Sequence, residues 1–237
     1  LYRGVAGRIG WDKKAGESHL TTLLRSLVIG ELGGYGDAKT IDEAKNRFAR
    51  LRQDPKSLPP DLRFPVYRLF VENGDKDSYE AVLDLFRKAD LHEERLRCLR
   101  ALGYSQKEEL LQRTLELSLS SEVRAQDTPL LVGSVASNGK GRELAWNFLT
   151  GQWPEFDRRY GKGGFLLARV ISSTTVNFHS EEKAKEVEEF FRSHPVPAAE
   201  RTIRQSLERI RSNALWLQRD SEPIRQWLEQ ATSSKVQ

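Results

Sequence analysis

The 237-residue chain has no methionine and one cysteine, Cys98. Leucine is its first residue, so the chain is expected to be a segment of a longer polypeptide. A lone cysteine excludes an internal disulfide framework and a cysteine-rich zinc site. Set in LRCLRAL among helical apolar positions, Cys98 reads as a buried structural thiol. No Asn-x-Ser/Thr acceptor occurs, and with the scarce cysteine this points to a reducing, cytoplasmic setting. No apolar run approaches the roughly 18 residues of a membrane span, and LYRGVAGRIGWDKK lacks the layout of a signal peptide. The membrane is therefore excluded as a partner. Charge of one sign is lacking too: 38 basic and 34 acidic residues are interspersed and leave a net +4, a solvated helical surface rather than a stripe for nucleic acid.

Sets of residues able to carry chemistry are also missing. His92-Glu93-Glu94-Arg95-Leu96 opens like the zinc-protease motif HExxH, but Leu96 stands where the second histidine must lie one turn along the helix. His19, His179 and His194 have no partner at i+4, and no GxSxG elbow occurs. Gly139-Lys140-Gly141 lacks the spacing of a phosphate loop and its following Ser or Thr, and Gly161-Lys162-Gly163-Gly164 lacks the dinucleotide pattern. Paired carboxylates such as Glu181-Glu182 suit helix starts and polar faces. No catalytic residue, metal ligand or cofactor site is assigned in this chain.

What is present is helical periodicity. After Ile9-Gly10-Trp11, the stripe Leu20, Leu23, Leu24, Leu27, Val28 and Leu32 predicts an amphipathic helix with that face buried, ended by Gly33-Gly34. Asp37 opens a second helix along Ala38, Ile41, Ala44, Phe48 and Leu51. Residues 54–60 hold three of the nine prolines and make the best linker candidate. Asp61 is placed to cap the next helix, which ends at Asn73-Gly74, and Tyr79, Val82, Leu83 and Phe86 mark another. Asp90 with Glu93, and Ser105 with Glu108, have the spacing of capping boxes.

Residues 126–191 are the richest stretch. Leu144, Ala145, Phe148 and Leu149 form one stripe with Trp146 off it; Trp153, Phe156 and Tyr160 share a face; a basic YGKGG loop follows. Aromatic rings bury about 150–250 Å² each, so Trp146 and Trp153 belong in a core or at a binding surface, and packing anchors are the economical choice. Phe165–Ile171 reads as a buried helix, with a strand as the weaker option, and Ser180 caps a helix ending at Phe190-Phe191. A long helix then carries Ile203 to Leu217, a separate last helix carries Ile224, Trp227 and Leu228, and residues 231–237 read as a frayed tail. The predicted fold is all-α: a superhelical array of antiparallel helix hairpins of the HEAT or armadillo kind over residues 1–237, with a closed bundle as the alternative.

The ordered succession IGW, ESHLTTLLRSLV and GDAKTIDEAKNRF, then QDTPLLVGSVASNGKGRELAWNFLTGQW and RYGKGGFLLARVI, then FFRSHPVPAAERTIRQSLERIRSNALWLQRDSEPIRQWL resembles the C-terminal helical domain of M1-family zinc aminopeptidases. The closing segment is most similar to the puromycin-sensitive branch. The resemblance covers nearly the whole chain. It implies HEAT-like hairpins forming a bowl over a thermolysin-like catalytic domain, where the zinc, its HExxH motif and the GxMEN motif reside. It therefore implies a non-catalytic domain that restricts access and accommodates peptides, in a parent enzyme that removes N-terminal residues. Its partners would be the other domains of the same polypeptide and the peptide substrate. Arg159, Tyr160, Lys162 and Arg169 near the glycine loop are the candidates for peptide contact. The alternative function is a free-standing helical scaffold that binds another protein.

Overall fold

The computed structural model describes residues 2–162 and 164–233, the side chains of 232 and 233 excepted. They form thirteen α-helices and two short 3-10 turns, and no strand occurs among the described residues. The all-α prediction holds, including for Phe165–Thr175, where the helix prevails over the strand option. Contacts divide the chain after Glu122 into two compact units.

The first unit holds α1 (Tyr2–Ile9), α2 (His19–Gly34), α3 (Ala38–Gln53), α4 (Pro60–Glu72), α5 (Lys76–Lys88), α6 (His92–Leu102) and α7 (Glu108–Ser118). Helix α2 packs on α4 and α4 on α6, while α3 pairs with α4 and α5 with α6. Chain neighbours thus form hairpins whose alternate members stack. Phe48 stacks on Phe70 at 3.9 Å between ring centres and meets Tyr67 edge-on at 5.8 Å. Residues 54–59 form a compact connection inside this unit, with Leu58 buried beneath it.

Several local expectations are corrected here. Gly33 and Gly34 remain helical, and the left-handed residue of the turn is Gly36, at φ 82°. Gly33 lies where any Cβ would run into the Leu69 side chain, so its lack of a side chain lets α2 approach α4. Helix α4 starts with Pro60 in its first turn rather than with an Asp61 cap, a position that needs no N–H donor. The N-cap residues of α6 and α7 are Leu91 and Lys107 rather than Asp90 and Ser105. Leu91 precedes α6 without a side-chain cap, and Ser105 Oγ instead accepts from the Lys107 amide, two residues on, at 3.2 Å.

The largest correction is α2. It buries Thr22, Arg25, Val28, Ile29, Gly30 and Gly33 and leaves Leu20 75%, Leu23 49%, Leu24 41% and Leu27 56% exposed. Arg25 is only 1% exposed. Its guanidinium donates to Glu17 at 2.6 Å and to the carbonyls of Ile9 and Gly10 at 3.1 and 3.0 Å. A satisfied arginine thus occupies a place that periodicity assigned to leucine.

The second unit holds α8 (Thr128–Ser137), α9 (Arg142–Gly151), α10 (Trp153–Tyr160), α11 (Phe165–Thr175), α12 (Glu181–Ser193) and α13 (Glu200–Ser233). Helix α11 packs between α8 and α13, with α9 paired to α8 and α12 to α13. Trp146 and Trp153 are both buried. They meet Phe190 edge-on at 5.6 and 5.3 Å and Phe191 at 6.1 and 5.6 Å, joining α9 and α10 to α12. The packing-anchor expectation is met, and Trp146 is in the core despite lying off its stripe.

Helix α13 is continuous, so the expected separate last helix is corrected: Pro223 sits inside it. Proline removes one donor and crowds the preceding turn. The helix is bridged beyond it by Arg225, paired with Glu222 and Glu229 at 2.7 Å each. Residues 221–230 are exposed on every side. Of the tail, 231–233 are helical and 234–237 lie outside the described residues.

Candidate functional site

Gly164, at φ 66°, ends the loop between α10 and α11 and opens α11. An added Cβ there would strike Ala198 in the 3-10 turn before α13, so glycine fits both the backbone and the close approach. This clamp sets α11 against the start of α13. Gly163 of the YGKGG loop lies outside the described residues.

The four predicted contact residues fall in different environments. Tyr160 is 4% exposed, and its hydroxyl donates to Thr128 Oγ1 at 3.0 Å, tying α10 to α8. Arg159 is exposed and, with Arg158, pairs with Glu155. Arg158 and then Arg159 hold the Glu155 carboxyl down at about 2, so this cluster compensates its own charge. Lys162 and Arg169 are exposed and form no ion pair among the described residues. The Arg169 guanidinium lies 5.9 Å from the centre of the Phe165 ring, itself 69% exposed. Geometry thus leaves Lys162 and Arg169 as the available cations of the four.

Phe165, Arg169, Ser172 and Val176 follow one another at helical spacing and so share one face of α11. The lower end of this face borders a groove of about 520 Å³, where Ser172 and Val176 meet Thr202, Gln205, Ser206, Glu208, Arg209 and Ser212 of α13. Hydroxyls, an amide, a guanidinium and the Glu208 carboxylate along an open groove suit the carbonyls and amides of an extended chain. Sequence reading missed this groove. Its signal was the polar series Thr202, Gln205, Arg209 and Ser212 on one face of α13.

The residues do not fit a metal. Among the described residues, no group of three His, Cys, Asp or Glu side chains is placed to hold an ion. His92 and Glu93 begin α6, with Leu96 one turn on. No helix of the described residues is long and apolar enough to cross a membrane.

Fold and surface together define a helical-hairpin domain offering an open polar groove. The profile of the ERAP1-like C-terminal domain matches residues 1–212, and the chain belongs to that family, found in M1 aminopeptidases. It is 39% identical over 223 residues to Aminopeptidase M1 of Arabidopsis thaliana, covering 92% of this chain and 25% of that protein. It is 30% identical over 226 residues to glutamyl aminopeptidase of Homo sapiens, covering 94% and 23%, and 28% identical over 222 residues to Aminopeptidase 2 of Candida albicans, covering 93% and 24%. The chain spans about a quarter of the length of the relatives it matches.

Proposed function

We propose that this chain is the non-catalytic C-terminal domain of an M1 zinc aminopeptidase of the puromycin-sensitive kind, acting in the cytoplasm. In this reading it forms a concave wall over a catalytic domain of the same polypeptide, admits flexible peptides and excludes folded proteins. The zinc belongs to that other domain. The observation that carries the proposal is the family match over residues 1–212 in a chain that spans a quarter of its aminopeptidase relatives. The absence of a metal-holding cluster among the described residues is compatible with it. Lys162 and Arg169 are the proposed contacts for a peptide's carbonyls or carboxylate, with Arg159 reachable once it leaves Glu155.

The test combines this chain with a separately expressed catalytic region and measures cleavage of peptides of graded length. Restored length selectivity supports the wall role. Selectivity that is the same with and without the chain counts against it, and an upstream region without a zinc motif overturns the enzyme assignment. A free-standing scaffold would instead place an initiator methionine directly before Leu1.

A further inference from the structure

Asparagine is followed by glycine at Asn73-Gly74 and at Asn138-Gly139, whereas the other asparagines precede Arg47, Phe148, Phe178 and Ala214. The distinction is chemical. A backbone nitrogen can attack the side-chain carbonyl carbon of the asparagine before it, and a glycine nitrogen is the least shielded because no Cβ stands beside it. The two Asn-Gly steps have unlike surroundings. Asn138 is buried, its Oδ1 accepts from the Lys140 amide at 3.1 Å, and its carbonyl accepts from the Gly141 amide at 3.0 Å. Burial and these bonds hold both the side chain and the backbone of that turn.

Asn73 is exposed, at the C-terminal end of α4 in the short turn to α5. The Gly74 N–H reaches only the Val71 carbonyl, at 3.3 Å, longer than an ordinary N–H···O bond. Packing nevertheless fixes a glycine there, because a Cβ at position 74 would strike the Ser78 side chain and the Phe70 carbonyl. The fold thus sets the least shielded nitrogen directly after an exposed asparagine, in a turn of the kind that opens most readily.

We propose that Asn73-Gly74 is a self-modifying site, where the chain converts Asn73 to a mixture of isoaspartate and aspartate and so gains a negative charge between α4 and α5. The Gly74 nitrogen loses its proton to solvent and bonds to Asn73 Cγ. The Cγ–Nδ2 bond breaks, and Nδ2 takes up a proton and leaves as ammonia, giving a cyclic imide. Water, the sole co-reactant, opens the ring. Addition at Cγ breaks its bond to Gly74 and leaves aspartate, whereas addition at the main-chain carbonyl leaves isoaspartate, with the chain routed through Cγ. Ring closure requires the Asn73 ψ to turn away from 20°, so the turn must open locally. Conversion removes the Nδ2–H that donates to the Leu69 carbonyl at 3.0 Å. It also puts a carboxylate at the negative end of the α4 dipole, between Glu72 and Asp75. The product therefore holds the α4–α5 hairpin less firmly, and the change accumulates with the age of the molecule.

Incubation of the whole polypeptide at pH 8 over weeks, followed by tryptic mapping by mass, tests this. Trypsin places Asn73 in the fragment Leu69–Lys76 and Asn138 in Ala125–Lys140. The mass change of NH2 to OH is expected in Leu69–Lys76 about tenfold or more faster than in Ala125–Lys140 in native protein, and at comparable rates in denaturant. Isoaspartate should be the larger product, detected with a methyltransferase specific for isoaspartyl carboxylates. No mass change in Leu69–Lys76, equal native rates, or aspartate without isoaspartate overturns the proposal, the last because it would show direct hydrolysis instead of attack by Gly74. The rate should rise from pH 6 to pH 8, since the Gly74 nitrogen must lose a proton, and a flat profile overturns it too. Asn73→Gln, whose longer side chain closes the ring poorly, should abolish the change, and persistence of the change in that variant counts against the site. Asn73→Asp should speed hydrogen exchange at the start of α5 by about two- to fivefold, and unchanged exchange would refute the loosening of the hairpin. If that variant does not fold, the mass readings on the unaltered chain still decide.

Discussion

Buried Arg25 and partly exposed Glu17 form a pair at 2.6 Å that ties the segment before α2 onto the helix itself. Arg25 holds the Glu17 carboxyl below its ordinary value. Because the folded value is depressed, the pair contributes stability above the ordinary pKa of about 4.5 and loses it as pH falls through the lower folded value. Glu17→Gln is therefore expected to destabilise the chain at neutral pH and to flatten the acid limb below about pH 4.5. Urea melts from pH 7 to 3 check this. An unchanged acid limb in the variant would show that the pair does not set it.

Gly33 and Leu69 define the approach of α2 to α4. Gly33→Ala is expected to cost about 1–3 kcal/mol through overpacking, despite the better helix propensity of alanine. Gly7→Ala in α1, where a Cβ meets nothing, should change stability by less than about 1 kcal/mol. Adding Leu69→Ala to Gly33→Ala should cost less than the sum of the single changes. Chemical denaturation of the four proteins measures the coupling, and strict additivity would refute the contact.

How legible the fold was in the sequence follows from what periodicity encodes. Tyr79, Val82, Leu83 and Phe86 of α5 were read correctly as one buried face, because the helix is charged elsewhere and only one face can go inward. In α2 the same rule found the leucine face but placed it inside. Spacing tells which residues share a side, and the neighbours available decide which side is covered. Capping boxes depend on the register of the helix start, and α6 and α7 each begin too late for Asp90 or Ser105 to serve. Lys162 and Arg169 stood out as cations near glycines, but the burial of Tyr160 depends on Thr128, 32 residues away, and the groove exists only once α11 lies against α13.

Cys98 gives a sharp chemical test. Burial pushes its thiol up to about 12, with the Glu94 carboxylate adding to the effect. At pH 8 the folded chain is expected to resist a disulfide reagent over hours and to react completely in denaturant, because the thiolate is the nucleophile. Rapid modification of native protein, followed by absorbance of the released thiol, would contradict the buried placement.

Trp146 anchors α9 against α12, and its indole N–H donates to Glu186 Oε1 at 2.5 Å. Trp146→Ala should cost about 3–5 kcal/mol by opening a cavity among Phe178, Phe190 and Phe191. Trp146→Phe should cost less, since Glu186 is half exposed and can turn to water. Equal losses from both changes, measured in urea, would show that the ring volume does not govern this site.

The proposed peptide contacts lead to a last prediction, made for the whole polypeptide. Lys162 and Arg169 are exposed and lack ion pairs among the described residues, so their removal should leave the fold intact. Surface changes of this kind usually alter stability by no more than about 0.5 kcal/mol. Lys162→Ala with Arg169→Ala should raise KM for peptides long enough to reach them and leave dipeptide-length substrates unaffected, because the lost interaction is ordinary binding rather than transition-state contact. An exposed charge pair is worth up to about 1 kcal/mol, so a rise of about two- to fivefold per residue is expected, shrinking as salt is added. Arg159→Ala should have the smaller effect, since that guanidinium must first leave Glu155. Blocking the C-terminal carboxylate of the peptide should reproduce the KM change in the wild type if these cations read that group. Kinetics that shift equally for short and long peptides would place the effect elsewhere in the enzyme and remove Lys162 and Arg169 from the binding surface.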